Sequence, residues 1–222
     1  MRHLLFDSSA LISMSLTGTL PLLEKLKKDY KGKFLIPASI KLEIVDNALR
    51  TQRFKLGGYK LKRLIDNKTL EVLDESAYKT DIQRLSSLAN STFSARGKDI
   101  KIIHPGEIAL LVIAHKGSED DAVVVDERTT RLLVEAPEEI AKLLGRKLHT
   151  HISVDENKLA SLKKEMTSVA ILRSVDLCLA AYLKGHVEGE VDMFDGLLWA
   201  LKFAGCAISG KEIKEYLHEV RK

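Results

Sequence analysis

Cysteine is scarce in this chain: only Cys178 and Cys206 occur among 222 residues, both within apolar stretches of helical pattern. Two such cysteines exclude a disulfide framework or a cysteine-based metal site, and they are typical of a reducing compartment. Long hydrophobic runs are also missing, because no stretch approaches the ~20 apolar residues of a membrane-spanning helix. The acidic residue at position 7 comes too early for a signal peptide. We therefore expect a cytoplasmic protein with no membrane partner.

Internal repeats, low-complexity tracts and a glycine-rich phosphate loop after a strand are absent as well. The missing loop argues against a nucleotide-binding α/β domain, which is the weaker alternative for this chain. Charge of one sign does not dominate, since 35 Lys and Arg face 31 Asp and Glu, for a net charge of +4. This balance permits a nucleic-acid partner without requiring one.

Short apolar runs alternate with helical patterns over the first two thirds of the chain. This alternation predicts an α/β fold with a central parallel sheet flanked by helices. After residue 155 we predict no strand, so the sequence divides into an α/β domain at 1–154 and an all-helical C-terminal extension at 155–222. We predict strands at 3–6, 33–36, 70–73, 122–125 and 148–154, a loop at 90–101, and tail helices at 155–184, 193–205 and 210–221.

Four carboxylates stand at the ends of strands or the beginnings of helices. Asp7 and Asp126 follow predicted strands, Glu43 lies in the helix after Ile36-Pro37, and Glu107 opens an apolar helix. The carboxyl ends of parallel strands share one edge, where ligands bind. Acids that converge there without basic partners would repel one another, and Mg²⁺ or Mn²⁺ would relieve that repulsion through oxygen ligands. The spacing therefore predicts a metal-dependent nuclease site.

Each of these residues also has a structural alternative. Asp7 could cap a helix, Glu107 could complement a helix dipole, and Glu43 could lie on a solvated helix face. Ser9 is expected either to orient Asp7 or simply to cap the first helix. Glu127 is expected to neighbour the metal ligand Asp126.

The segment from residue 50 to residue 63 is basic and contains no acid. Two aromatic residues, Phe54 and Tyr59, are interleaved with the basic ones. Basic side chains contact phosphates and aromatic rings stack on unpaired bases, so the segment predicts RNA binding. A solvated basic helix is the alternative. The predicted RNA-binding residues are Arg50, Arg53, Lys55, Lys60, Lys62 and Arg63.

The order of acids on a βα scaffold resembles the PIN-domain family of metal-dependent ribonucleases over roughly residues 1–150. The matching segments are Asp7-Ser8-Ser9 after the first strand, Lys41-Leu42-Glu43-Ile44, the small-residue helix that begins at Gly106-Glu107, and Val125-Asp126-Glu127-Arg128. Many members carry two aspartates where this chain has Asp126 and Glu127, which leaves open which acid is the ligand.

The resemblance implies an endoribonuclease, a hydrolase that uses Mg²⁺ or Mn²⁺ held by Asp7, Glu43, Glu107 and Asp126. Its RNA would be a cellular transcript in processing or, for a toxin, a tRNA or mRNA, with an antitoxin as protein partner. The long tail argues against the compact toxin form, and its apolar surface is compatible with a homodimer. The alternative is a non-catalytic PIN scaffold that binds RNA or protein partners.

Overall fold

A computed structural model describes residues 3–118, 121–166 and 168–221. Its centre is a five-stranded parallel sheet, and a three-stranded antiparallel sheet lies apart from it. The central sheet has the order β3-β2-β1-β6-β8, and the small sheet has the order β5-β4-β7. The strands are β1 (Leu4–Phe6), β2 (Phe34–Pro37), β3 (Glu71–Leu73), β4 (Phe93–Ala95), β5 (Lys98–Asp99), β6 (Ala122–Val124), β7 (Ser153–Val154) and β8 (Ala170–Leu172).

Helices connect the strands and cover the central sheet. A π-helical stretch, Leu42–Asn47, lies between two short helices that follow β2, and a 3₁₀ turn at Ser76–Tyr78 follows β3. The α-helices are α1 (Ser8–Leu16), α2 (Leu20–Asp29), α3 (Ala38–Lys41), α4 (Ala48–Arg50), α5 (Lys55–Asp66), α6 (Lys79–Asn90), α7 (Pro105–Lys116), α8 (Arg128–Glu135), α9 (Glu139–Leu148), α10 (Glu156–Met166), α11 (Ser174–Leu183), α12 (Val191–Ala204) and α13 (Gly210–Val220).

The central strands are short and apolar, as expected for a sheet covered on both faces. Every residue of β1, β2 and β6 is buried, and the rings of Phe6 and Phe34 lie 5.4 Å apart. Helix α7 is buried from Ile108 to Ala114, so it lies within the core rather than on the surface. The predicted α/β class with a helix-flanked parallel sheet is therefore confirmed.

The prediction that no strand follows residue 155 is wrong, and with it the description of the extension as all-helical. Strand β8 joins the edge of the central sheet and pairs in parallel with β6, with Val123 opposite Ile171. The strand has only three residues and runs almost directly into the apolar helix α11, so its side chains continue a helical pattern. The domain boundary at 154 stays a prediction, but strands from both sides of it pair in one sheet.

Two further boundaries differ from the sequence-based expectation. The strand predicted at 148–154 is reduced to Ser153–Val154, because α9 extends to Leu148 and His149 ends the helix in the left-handed conformation, with a φ of 49°. The loop predicted at 90–101 contains β4 and β5, which form a hairpin that pairs with β7. Within the described residues, no helix is long and apolar enough to cross a membrane.

Candidate functional site

Asp7 lies at the carboxyl end of β1 and is only 1% exposed. Its backbone N–H donates to the carbonyl of Val124, which places it beside the end of β6. The Oδ2 atom accepts hydrogen bonds from the backbone N–H of Ser9 at 2.8 Å and from the Ser9 hydroxyl at 2.5 Å. The Oδ1 atom is buried and has no hydrogen-bond partner among the described residues. Asp7 is therefore the N-cap of α1, as the structural alternative expected, but capping leaves half of its carboxylate unsatisfied.

Burial raises the pKa of Asp7. The hydrogen bonds from Ser9 act in the opposite direction, and the negative charge of Glu43 adds to the rise. A buried carboxylate near a second acid is costly to ionise unless a cation is present. The electrostatics of Asp7 therefore favour either a proton or a cation at this position.

Glu107 lies in the first turn of α7 and is half-buried. Its Oε2 accepts from the backbone N–H of His104 at 2.8 Å, and its Oε1 accepts from the Thr130 hydroxyl at 2.6 Å. Burial raises the pKa of Glu107, and the charges of Asp7 and Glu127 raise it further. The charges of Asp7 and Glu127 therefore act on Glu107 at one edge of the sheet.

Thr130 is a residue of this site that the sequence did not single out. It is buried on α8, and it lies between two acids. Its hydroxyl contacts Glu107 at 2.6 Å and Glu127 at 3.3 Å, and its backbone N–H donates to Glu127 at 2.8 Å. Glu127 is the N-cap of α8. Thr130 holds the two carboxylates in place, but a threonine in a helix carries no sequence signal of that function.

Asp126 is fully buried, and its carboxylate is engaged with the C-terminal segment. Its Oδ1 accepts from the backbone N–H of Ser174 at 2.8 Å, and its Oδ2 accepts from the Ser174 hydroxyl at 2.7 Å. Its negative charge also contributes to raising the pKa of Cys206, although burial of that thiol is the larger cause. Asp126 thus connects β6 to α11, whereas its neighbour Glu127 lies with Glu107 and Thr130.

Glu43 lies in the π-helical stretch after β2 and is exposed, as its structural alternative expected. Among the described residues none donates a hydrogen bond to its carboxylate. Nearby, the buried Ser39 hydroxyl at the start of α3 also has no hydrogen-bond partner among the described residues. A Cβ atom at Gly106 would lie 3.3 Å from Ile40 and 3.8 Å from Ser39 Oγ, so the first turns of α3 and α7 are in close approach.

The structure thus relates Asp7, Glu43 and Glu107 electrostatically at the carboxyl edge of the sheet, with Glu127 beside Glu107. Across residues 3–118, 121–166 and 168–221, no three His, Cys, Asp or Glu side chains are grouped closely enough to form a preassembled metal site. Ser9 bridges two parts of the site, because its hydroxyl also accepts from the backbone N–H groups of Asp126 at 3.0 Å and Glu127 at 3.3 Å.

The predicted RNA-binding segment follows directly on the stretch that carries Glu43. Phe54 and Tyr59 are more than half exposed, and the Arg53 guanidinium lies 5.4 Å from the centre of the Phe54 ring. Lys62 is paired with Asp66, and Arg63 is paired with Glu24. Arg50, Lys55 and Lys60 are exposed and have no ion pair within the described chain.

Comparisons with known proteins assign no family to the chain. No protein-family model matches it. No curated protein and no solved structure matches it either.

Proposed function

We propose that this protein is a metal-dependent endoribonuclease of PIN type whose site lies at the carboxyl edge of the central sheet. The observation that carries the proposal is the buried Oδ1 atom of Asp7, which has no hydrogen-bond partner among the described residues. Burial raises the pKa of Asp7 and of Glu107, and neighbouring acids raise both further. A divalent cation would satisfy the unpartnered oxygen and remove the mutual repulsion.

The residues present offer such an ion only oxygen donors, although among the described residues no three carboxylates form a preassembled site. Asp7 and Glu107 would hold it, with Glu43 and Glu127 as further carboxylates at the rim. Asp126 remains a candidate from the PIN resemblance, but it is fully buried and its carboxylate is bound to Ser174 of the C-terminal segment, whereas Glu107 is half-buried. We therefore assign Asp126 a positioning role and place Glu127 in the ligand set.

A bound Mg²⁺ or Mn²⁺ would supply the positive charge that activates water and stabilises a phosphodiester undergoing displacement. The chain's own residues prepare the site. Ser9 fixes the Oδ2 atom of Asp7, so that its Oδ1 atom is left for a ligand. Thr130 fixes Glu107 and Glu127 relative to each other. Such preorganisation reduces the reorganisation that the site must undergo when it binds substrate.

RNA is the proposed substrate because a basic and aromatic surface adjoins the acids. The exposed rings of Phe54 and Tyr59 can stack on unpaired bases, and Arg50, Lys55 and Lys60 are free to contact phosphates. Helix α5, which carries Lys55, Tyr59 and Lys60, packs against the π-helical stretch that carries Glu43, so RNA bound there would lie beside one of the acids.

A second candidate is a non-catalytic scaffold that binds RNA or protein. The observation in its favour is that Asp7, Glu107 and Glu127 all accept backbone hydrogen bonds at helix starts. Helix capping alone could account for those three acids. It does not account for the buried Oδ1 atom of Asp7, which makes no cap contact.

The test is Mn²⁺ binding and RNA cleavage in the wild type and in Asp7→Asn. A matched control is Asp74→Asn, because Asp74 also follows a strand of the five-stranded sheet and accepts from the backbone N–H and hydroxyl of a serine two residues later, but is exposed. Asp7→Asn should reduce cleavage of a labelled single-stranded RNA by more than about 100-fold, since even residues behind a metal ligand contribute 10- to 100-fold. Asp74→Asn should cleave normally.

Three results would contradict the proposal. Calorimetry showing no Mn²⁺ binding to the wild type would favour the scaffold. Full cleavage by Asp7→Asn would place the active site elsewhere. Equal losses in Asp7→Asn and Asp74→Asn would show that the loss is not specific to Asp7, which removes the basis for a site at that residue.

A further inference from the structure

Helix α8 separates two surface grooves next to the candidate site. One groove, of about 260 Å³, lies between α8 and α9, and the other, of about 340 Å³, lies between α8 and the chain around Ile208. Both grooves are lined by Arg128 and Leu132. The remaining charged residues that line the first are Glu139, Lys142 and Arg146, and those that line the second are Arg131, Glu135 and Glu212.

The acids of these grooves are neutralised by specific partners. Glu135 pairs with Arg131 at 3.1 Å, and Glu139 pairs with Lys142 at 3.2 Å. Glu212 pairs with Arg173 at 2.7 Å. Arg128 and Arg146 form no ion pair within the described chain, and both are exposed. The groove between α8 and α9 therefore has two positive charges available to an external anion.

Arg128 occupies a position that does not favour a cation. It is the first residue of α8, where the helix dipole favours negative charge. The N-cap Glu127 offsets part of this cost, but its carboxylate is directed to Thr130. Arg146 lies in the last turn of α9, where a cation is favoured, so its place alone indicates nothing. Helix stability therefore does not account for the location of Arg128.

The sheet order places this groove on the other flank of the site from the basic segment at 50–63. That segment follows β2, whereas α8 and α9 follow β6, and β1 with Asp7 lies between those two strands. Arg128 directly follows Glu127. A polyanion that crosses the carboxyl edge of the sheet would therefore meet basic side chains before and after the acids.

We infer that the groove between α8 and α9 binds backbone phosphates of the RNA on the far side of the cleavage site, through Arg128 and Arg146. This inference rests on the proposed function, because it names the path of the same substrate. An RNA strand fits better than a compact anion, since two guanidinium groups from different helices line the groove and Arg128 directly follows Glu127.

The experiment measures the Kd of the full-length protein for a short single-stranded RNA in EDTA, so that binding is observed without cleavage, over a series of salt concentrations. The variant is Arg128→Ala/Arg146→Ala. A control of equal charge change is Lys28→Ala/Lys31→Ala, because both lysines are exposed shortly before β2, at the opposite edge of the sheet. A second control, Arg128→Lys/Arg146→Lys, retains the charge.

The arginine-to-alanine variant should bind more weakly, and its salt slope should fall by about 1.4 because each phosphate contact to a single strand contributes about 0.7. The lysine-to-alanine control and the arginine-to-lysine variant should keep the wild-type slope to within about 0.7, the contribution of one phosphate contact.

If the wild type binds RNA but the arginine-to-alanine variant has the same salt slope as the lysine-to-alanine control, this inference is wrong while the proposed function stands. If the wild type binds no RNA, both are wrong. A loss of binding to polyglutamate without a loss of binding to RNA would instead assign the groove to an acidic protein.

Discussion

The two carboxylate oxygens of Asp126 are both bound by Ser174, one by its backbone N–H at 2.8 Å and the other by its hydroxyl at 2.7 Å. This contact joins the end of β6 to the start of α11. From there, the backbone N–H of Asp126 donates to Ser9 Oγ at 3.0 Å, and that hydroxyl donates to Asp7. A continuous set of hydrogen bonds therefore connects the C-terminal segment to Asp7, whose Oδ1 atom has no partner among the described residues.

Ser174→Ala should destabilise the protein, because it removes the hydroxyl donor from a fully buried carboxylate. A hydrogen bond to a charged group contributes about 1.5–3 kcal/mol, and we expect a loss in that range in the free energy of unfolding. Urea denaturation would measure it. The control is Ser161→Ala, whose hydroxyl lies on the exposed face of α10 and should change stability by less than about 0.5 kcal/mol. Equal stability of the two variants would show that the Ser174 hydroxyl does not hold Asp126.

Glu127→Gln and Asp126→Asn should have different effects. Glu127→Gln keeps an acceptor for Thr130 but removes a charge beside Glu107, so it should weaken Mn²⁺ binding and cleavage with little change in stability. Asp126→Asn should mainly lower the free energy of unfolding, because its amide offers one acceptor to the two donors of Ser174. Calorimetric Mn²⁺ titration and urea denaturation of both variants would separate the roles. A stable Asp126→Asn that no longer binds Mn²⁺ would reverse the assignment.

The difference between Asp126 and Glu127 shows where inference from sequence stopped. The sequence predicted that acids follow β1 and β6 at one edge, and Asp7 does lie beside the end of β6. Consecutive residues at the end of an extended strand point to opposite sides. Which of two adjacent acids faces Glu107 depends on the register of β6 and on Ser174, 48 residues further along the chain. Neither the register of β6 nor the contact with Ser174 can be read from the residues next to Asp126 and Glu127.

Strand β8 illustrates the same limit for the fold. The strands β1, β2 and β6 were predictable because turns or helices of clear pattern bound their apolar runs. Ala170–Leu172 instead merges into α11 after a single residue, and its pairing with β6 is a long-range contact. A three-residue run carries too little periodicity to distinguish a strand from the first turn of a helix.

Without metal, the Asp7→Asn variant should gain stability relative to the wild type as pH rises. A carboxyl whose pKa is raised by folding binds more protons in the folded than in the unfolded state, so wild-type stability falls as pH rises from the ordinary value of 3.8 through the raised pKa. Asparagine removes this contribution. The Tm difference between Asp7→Asn and wild type should therefore increase as pH rises above the ordinary value of 3.8.

Added Mn²⁺ should then raise the Tm of the wild type and leave that of Asp7→Asn unchanged, because only an ion that binds the folded state stabilises it. Asp74→Asn is again the control, since hydrogen bonds from Ser76 lower the pKa of Asp74. Its Tm difference should not show the same rise with pH. A Tm difference for Asp7→Asn that is independent of pH would contradict the raised pKa of Asp7.

Glu212→Gln should remove acid-sensitive stability from the C-terminal segment. Burial of the Glu212 carboxyl acts to raise its pKa, but hydrogen bonds from Ser209 and Arg173 outweigh it and bring the pKa down from 4.5 to about 2. A lowered pKa contributes stability that is present above 4.5 and lost as pH falls toward about 2. The wild type should therefore lose its stability advantage over Glu212→Gln across that interval, as measured by Tm against pH.

The control is Glu215→Gln, at an exposed position on the same helix, whose Tm should follow that of the wild type across the interval. If the wild type keeps its full advantage over Glu212→Gln at the acid end of the interval, the pairing with Arg173 does not stabilise the fold through the Glu212 charge.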